Sequence, residues 1–164
     1  MSTTSTHFNN ARYGSSATEY EFCAGVLPYC YFNNVMYVLM GKNRKGRLCT
    51  FSGKNEASET PPMTAAREMY EETCGLIFPI EEIHLRISKP DCVLLYSYTP
   101  RGKIAYTYLL EVPYKRWYGT AFMRCQSFVN KNFSRRHQHN EMVDLKWISH
   151  ENLLNNVRRC WDRC

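Results

Sequence analysis

The chain has 164 residues, of which 44% are hydrophobic and 22% are charged, and its formal net charge is +6. This composition is typical of one folded domain with a hydrophobic core, and it excludes a disordered chain. No apolar run reaches the roughly 18 residues of a membrane span, and the polar start MSTTSTHFNN lacks the apolar centre of a secretory signal. We therefore expect an intracellular protein, most simply a cytoplasmic one, that does not bind a membrane.

The first half of the chain predicts a loose segment, three strands and one helix. Residues 1–18 are rich in Ser, Thr and Asn and are predicted to be loose, whereas residues 19–164 are predicted to form a single domain. Val, Tyr, Phe and Cys predict strands over 21–32, 35–41 and 47–51, separated by two turn-like segments. A helix is predicted over 62–73, with an apolar face formed by Met63, Ala66, Met69, Tyr70 and Thr73.

The second half predicts further strands and a final helix. The strands are expected over 83–88, 92–98, 103–112 and 142–148, and the helix over 150–161 with Ser149 as its cap. Residues 113–140 predict no more than a short helix. The eight cysteines are scattered without any C-x2-C pair, so we expect reduced thiols.

Three glutamates of the first predicted helix, Glu68, Glu71 and Glu72, share one face because positions i, i+3 and i+4 lie together. Their like charges repel each other unless a positive charge is near, and a bound divalent cation is the strongest local remedy. Glu-rich helix faces are most often simply solvated, however, so the cluster alone does not establish a metal site. The residues before it decide between the two interpretations.

Residues 53–76 place these glutamates in a specific spacing. The fixed positions are Gly53, Glu59, Arg67, Glu68, Glu71, Glu72, Gly75 and Leu76, with five residues between the first two and seven between Glu59 and Arg67. The segment resembles the Nudix box, whose pattern is G-x5-E-x7-R-E-U-x-E-E-x-G-U with U aliphatic. It departs from that pattern by one extra residue before the closing Gly75, which predicts a helix lengthened by one position.

The resemblance implies a fold and a reaction. The fold would be a Nudix-like α/β/α sandwich of the α/β class, in which a mixed sheet carries a loop-helix-loop catalytic motif. The reaction would be hydrolysis of the diphosphate linkage of a nucleoside diphosphate joined to another moiety, with Mg²⁺ or Mn²⁺ as cofactor. Carboxylate oxygens suit either cation, which would polarise the diphosphate and provide a nucleophilic water.

The same resemblance implies roles for residues of the motif. Glu71 and Glu72 would be the principal metal ligands, and Glu68 would be a further ligand or the base that orients the attacking water. Arg67 would hold the glutamate rotamers, and Gly53 would offer its backbone carbonyl to the metal.

Four other residues complete the predicted site. Glu59 would brace the loop, and Lys54 is a candidate for contact with substrate phosphate, although a solvated loop lysine is an equal alternative. Nudix enzymes often take one more acid from outside the motif. The candidate for that acid is Glu141, with Asp144 as the runner-up.

The substrate class is left open by the sequence. Residues 113–164 hold ten Lys and Arg against four Asp and Glu, which favours a highly anionic substrate such as capped RNA or an inositol pyrophosphate. Aromatic residues lie among them, namely Trp117, Phe122, Phe128, Phe133 and Trp161. Oxidised nucleoside triphosphates, dinucleoside polyphosphates and ADP-ribose are alternative substrates, and a nucleotide- or RNA-binding module is the non-enzyme alternative. The oligomeric state is not predicted.

Overall fold

The structure of the protein is a computed structural model that describes residues 21–132 and 142–161, with the backbone alone for 156–161. The predicted loose segment 1–18 lies outside the described residues, as do Phe133 and Glu141. Within the described ranges, no helix is both long enough and apolar enough to span a membrane.

Two long antiparallel strands form a hairpin at the centre of the fold. β1 spans Cys23–Phe32 and β2 spans Val35–Asn43, so two residues connect them. These residues, Asn33 and Asn34, have φ angles of 51° and 60°. A tight hairpin turn of this kind needs left-handed backbone at both positions, and asparagine tolerates that conformation better than most residues. The predicted turn is confirmed.

Five further strands extend the hairpin into one mixed sheet. They are β3 (Leu48–Cys49), β4 (Phe51–Lys54), β5 (Leu94–Tyr98), β6 (Ile104–Glu111) and β7 (Met142–Ser149). The main path runs β3-β2-β1-β6-β5, with β4 joined to β1 and β7 joined to β2. β1 and β6 are parallel, whereas the other described pairs are antiparallel. The single strand predicted over 47–51 is instead divided at Thr50 into β3 and β4, which pair with different strands.

Four helices pack on this sheet. They are α1 (Pro61–Glu72), α2 (Ile80–Ile87), α3 (Tyr118–Asn132) and α4 (His150–Trp161). α1 contacts β1, β4 and α2, while α3 contacts β7 and α4 contacts β2 and β7. The predicted bounds of α1 and α4 are confirmed to within one residue. Ser149 Oγ accepts a hydrogen bond from the Asn152 backbone N–H at 3.4 Å, as expected of the predicted cap.

α2 corrects the prediction of a strand over 83–88. Its buried side chains are Ile83 and Ile87, which are four residues apart and therefore share one face of a helix. Glu81 and Glu82 lie in its first turn, where the helix dipole favours negative charge. The β-branched isoleucines favoured a strand, but the spacing of the buried residues and the charges at the start are helical.

α3 is longer than the short helix predicted within 113–140. It has 15 residues, and its buried side chains are spaced by three or four, as on one helix face. They are Tyr118, Phe122, Gln126 and Val129. Phe122 is fully buried and is therefore a core residue rather than part of a surface for an anionic substrate.

The main core lies between α1 and the sheet. Its fully buried side chains include Phe51, Leu39, Met69 and Ile83. The apolar face predicted for α1 is partly wrong, because Met63 is 45% exposed. The residues of α1 that are buried are Thr64, Ala65, Ala66, Met69 and Glu72. Helices cover a mixed sheet, and the predicted α/β class is confirmed.

Candidate active site

The guanidinium of Arg67 joins the loop before α1 to the helix itself. Nε and Nη2 donate to the two carboxylate oxygens of Glu59 at 2.8 and 3.0 Å. Nη1 donates to Glu68 Oε1 at 2.8 Å and to Glu71 Oε2 at 3.3 Å. Nη2 also donates to the carbonyl oxygen of Lys54 at 2.9 Å. Five contacts thus match the five N–H donors of the side chain.

Glu59 is held by two further donors besides Arg67. Its Oε2 accepts hydrogen bonds from the Thr64 hydroxyl and from the Glu56 backbone N–H, both at 2.8 Å. The hydrogen bonds from Arg67 lower the pKa of Glu59 from 4.5 to about 2, in spite of the desolvation that raises it. The same hydrogen bonds raise the pKa of Arg67. The pair is therefore charged at neutral pH.

Glu59 should make the stability of the protein sensitive to acid. Because its pKa is lower in the folded state, its stabilising effect is complete above about pH 4.5 and is lost as the pH falls toward 2. The shift corresponds to about 3 kcal/mol, which solvent screening reduces to about 2 kcal/mol. Between pH 6 and pH 3, wild type should lose about 1 kcal/mol more unfolding free energy than Glu59→Gln, measured with urea. The exposed Glu81→Gln should behave as wild type, and equal losses in wild type and Glu59→Gln would contradict this prediction.

Glu68 lies directly against Gly53 of β4. A Cβ added to Gly53 would overlap the carboxylate of Glu68, so a side chain fits here only if that carboxylate moves from its place beside Arg67. The carboxylate of Glu68 therefore occupies the space that a side chain at position 53 would take. Their contact brings the backbone of β4 next to the carboxylates of α1.

Gly53→Ala should destabilise the fold by about 2 kcal/mol, because the added methyl must displace the carboxylate of Glu68. A double-mutant cycle with Glu68→Ala tests the cause, with free energies of unfolding measured in urea. In the Glu68→Ala background, Gly53→Ala should cost less than about 1 kcal/mol. An undiminished cost there would show that the clash is with another part of the protein.

Glu72 is anchored differently from the other two glutamates. It is only 4% exposed, and its Oε2 accepts a hydrogen bond from the Ser52 backbone N–H at 2.8 Å. Burial, and then the charge of Glu72, raise the pKa of the neighbouring Cys49 thiol. Glu72 thus accepts a hydrogen bond from the backbone of β4, whereas Glu68 and Glu71 accept hydrogen bonds from Arg67.

The extra residue of the motif lies in the turn after α1. The helix ends at Glu72, and the backbone N–H groups of Cys74 and Gly75 donate to the carbonyl oxygens of Glu71 and Tyr70 at 3.2 and 2.8 Å. Cys74 and Gly75 have positive φ angles of 54° and 67°. This is a Schellman motif, in which a left-handed residue ends a helix. The predicted lengthening of the helix is wrong, and the register of the glutamates is unaffected.

The chemistry of the donor set fits a hard divalent cation. Glu68, Glu71 and Glu72 offer carboxylate oxygens and Gly53 a carbonyl oxygen, which are the ligand types that Mg²⁺ and Mn²⁺ prefer. In the described part of the chain, no three His, Cys, Asp or Glu side chains are grouped as ligands of one ion.

The remaining predicted residues are Lys54, Asp144 and Glu141. The Lys54 carbonyl oxygen contacts Arg67, and its ammonium group makes no ion pair among residues 21–132 and 142–155. Asp144 lies on β7, where its carboxylate is 3.4 Å from the ammonium group of Lys146. Glu141 lies outside the described residues, so its role stays a prediction.

Two contacts of the site were not predicted. The Thr64 hydroxyl bonds Glu59, and the Ser52 backbone N–H bonds Glu72. Thr64 precedes Glu68 by one helical turn, so the spacing could have placed it on the same face. A backbone donor such as that of Ser52 has no sequence signature, because any residue except proline carries it.

Comparisons with known proteins identify the fold. No family model matches the chain, and no curated protein sequence matches it. Among solved structures, it is similar to the C. elegans Ap4A hydrolase, at 14% identity and a TM-score of 0.51 over 83% of this chain and 85% of that one. It is also similar to the Nudix domain of Shewanella oneidensis NrtR, solved with ADP ribose, at 13% identity and a TM-score of 0.50 over 85% and 79% of the two chains. The chain has the Nudix fold.

Proposed function

We propose that the chain is a divalent-metal-dependent enzyme that hydrolyses the diphosphate linkage of a nucleoside diphosphate joined to another moiety. The observation that carries this proposal is the set of contacts around Arg67, which hold Glu59, Glu68 and Glu71 on one loop-helix unit. Several carboxylates gathered on one loop-helix unit are suited to bind a divalent cation. The Nudix fold supports the same class of reaction.

Each side chain has a role in the proposed reaction. Glu71 and Glu72 would hold the cation with the Gly53 carbonyl, and Glu68 would be a further ligand or would accept the proton of the attacking water. Arg67 positions the carboxylates and does not touch the substrate. The bound cation would neutralise charge on the diphosphate oxygens and lower the pKa of a water molecule.

Capped RNA is one proposed substrate. Its support is the excess of basic residues over 113–164, together with Trp117 and Phe128, which are 51% and 62% exposed. The burial of Phe122 removes one of the aromatic residues from that argument.

A small nucleotide is the alternative substrate. The two similar structures are an Ap4A hydrolase and a Nudix domain with ADP ribose, which supports a dinucleoside polyphosphate or ADP-ribose for this chain as well. A domain that binds nucleotide or RNA without hydrolysis is the non-enzyme alternative. The complete set of glutamates disfavours it, because binding alone does not require them.

A hydrolysis panel tests the proposal. The purified chain is incubated with Mg²⁺ or Mn²⁺ and with capped RNA, ADP-ribose, Ap4A, nucleoside triphosphates or an inositol pyrophosphate, and the products are separated by chromatography. We expect metal-dependent cleavage of a diphosphate linkage in at least one substrate, abolished by EDTA. Binding of a nucleotide without any cleavage would identify a binding module, and inert capped RNA beside rapid turnover of a small nucleotide would exclude decapping.

A further inference from the structure

Two thiols that the proposed reaction does not use lie in contact with each other. Cys74 is in the turn after α1 and Cys125 is on α3, and a hydrogen bond joins their side chains. Both cysteines are free and half-buried. We propose that a peroxide oxidises this pair to a disulfide, which links the C-terminal end of α1 to α3.

A second contact holds the sulfur of Cys74 against α3. Gln126 Nε2 donates to Cys74 Sγ at 3.7 Å, and Gln126 is only 5% exposed. Gln126 follows Phe122 by one turn on the buried face of α3, and Phe122 is part of the main core. The packing of α3 in the core therefore brings residues 125 and 126 to the turn after α1.

The turn that holds Cys74 is the place where the motif departs from the Nudix pattern. Cys74 has a φ angle of 54°, and its backbone N–H donates to the Glu71 carbonyl oxygen at 3.2 Å. Glycine or asparagine is the usual residue in the left-handed position that ends a helix. The backbone of the turn therefore does not explain a cysteine here, whereas the contact with Cys125 does.

The oxidation balances with one molecule of hydrogen peroxide. The sulfur of one thiol attacks a peroxide oxygen, the O–O bond breaks, and a sulfenic acid and one water molecule are formed. The second thiol attacks the sulfenic sulfur, so that the S–S bond forms and the hydroxyl group leaves as a second water. The two thiols lose two electrons and two protons, and the peroxide is reduced to two water molecules.

The disulfide would close a long loop of the chain. Residues 75–124 lie between the two cysteines, and they include α2, β5 and β6. A cross-link lowers the entropy of the unfolded chain, and the effect grows with the length of the loop. The thermal unfolding midpoint of the oxidised protein should therefore be about 5 to 10 °C above that of the reduced protein.

Mass spectrometry after digestion with trypsin tests the cross-link. Trypsin cleaves after Lys and Arg, so Cys74 lies in peptide 68–86 and Cys125 in peptide 125–131, and neither peptide holds another cysteine. The reduced full chain is treated with one equivalent of hydrogen peroxide, the remaining thiols are blocked with iodoacetamide, and the protein is digested without reductant. We expect the two peptides to be linked, two hydrogens lighter than their sum, and to be separated by dithiothreitol.

Cys49 is the matched control, because it is also half-buried and is the only cysteine of peptide 48–54. In the folded protein it should not be linked to Cys74 or Cys125. Links among all three peptides in similar yield would overturn the inference. It would also be overturned by a link found only between two chains, or by alkylation or further oxidation of Cys74 and Cys125 without any link.

Two single substitutions give a second readout. In Cys74→Ser and in Cys125→Ser, peroxide should leave the unfolding midpoint unchanged, whereas Cys92→Ser should show the full rise and its reversal by dithiothreitol. Serine at position 74 still offers an acceptor to Gln126 Nε2. A rise in both Cys74→Ser and Cys125→Ser equal to that of wild type would overturn the inference. These measurements need neither metal nor substrate, so their outcome is independent of the proposed hydrolysis.

Discussion

Glu71→Gln and Glu72→Gln should each lower kcat by roughly 100-fold or more while the protein stays folded. Each substitution removes one negative charge from the proposed cation site but keeps an oxygen in place. At position 72, the amide oxygen can still accept the 2.8 Å hydrogen bond from the Ser52 backbone N–H. The measurement is kcat with saturating Mg²⁺ on the best substrate of the panel, together with the thermal unfolding midpoint.

Glu82→Gln is the matched control for these variants. Glu82 lies on α2, where it bonds Arg86 at 2.7 Å and is 39% exposed. Its replacement also removes one ion-paired carboxylate, but away from the candidate site, so kcat should stay at the wild-type value. Unchanged metal-dependent hydrolysis in both Glu71→Gln and Glu72→Gln would show that the site is elsewhere.

Arg67→Ala should lower the free energy of unfolding by about 4 kcal/mol. The guanidinium is 16% exposed and donates hydrogen bonds to Glu59, Glu68, Glu71 and the Lys54 carbonyl. Its removal therefore takes a positively charged donor away from several partly buried acceptors. Arg67→Lys should also destabilise, because an ammonium group keeps the charge but cannot reach all of these acceptors. Urea unfolding measures both effects.

Arg86→Ala supplies the comparison for Arg67→Ala. Arg86 bonds Glu82 four residues before it and is 42% exposed, so its loss should cost less than about 1 kcal/mol. If Arg67→Ala does not fold, Arg67→Lys carries the test through the titration of Glu59, whose pKa should rise from about 2 toward 4.5. Equal stabilities for Arg67→Ala and Arg86→Ala would refute the organising role of Arg67.

Much of α1 and its loop is predictable because the constraints on them are local. The spacing of Glu59, Arg67 and Glu68 brings them together through one loop and two helical turns, and the structure shows these residues in contact. Prolines at the first helical positions and the left-handed turn after Glu72 delimit the helix. The position of the extra residue was harder to predict, because a helix and a Schellman turn can each accommodate it.

Other parts of the fold depend on competing or distant effects. Isoleucine favours strands, but Ile83 and Ile87 lie on a helix. Both are buried and they are four residues apart, which is the spacing of one helix face. Residues that are far apart in sequence meet through strand pairing: Ala105 of β6 lies between Cys23 of β1 and Ser97 of β5. Register follows from the packing of whole strands, so no local pattern predicts such neighbours.

β4 has an outer edge, since β1 is its only partner among the strands that the structure describes. The Ser52 N–H on this strand bonds Glu72, and the Lys54 carbonyl bonds Arg67. Side chains of α1 thus satisfy backbone groups that could otherwise recruit a strand from another molecule. Truncation of Glu72 or Arg67 is therefore expected to leave these backbone groups of β4 available for pairing with a strand of another molecule.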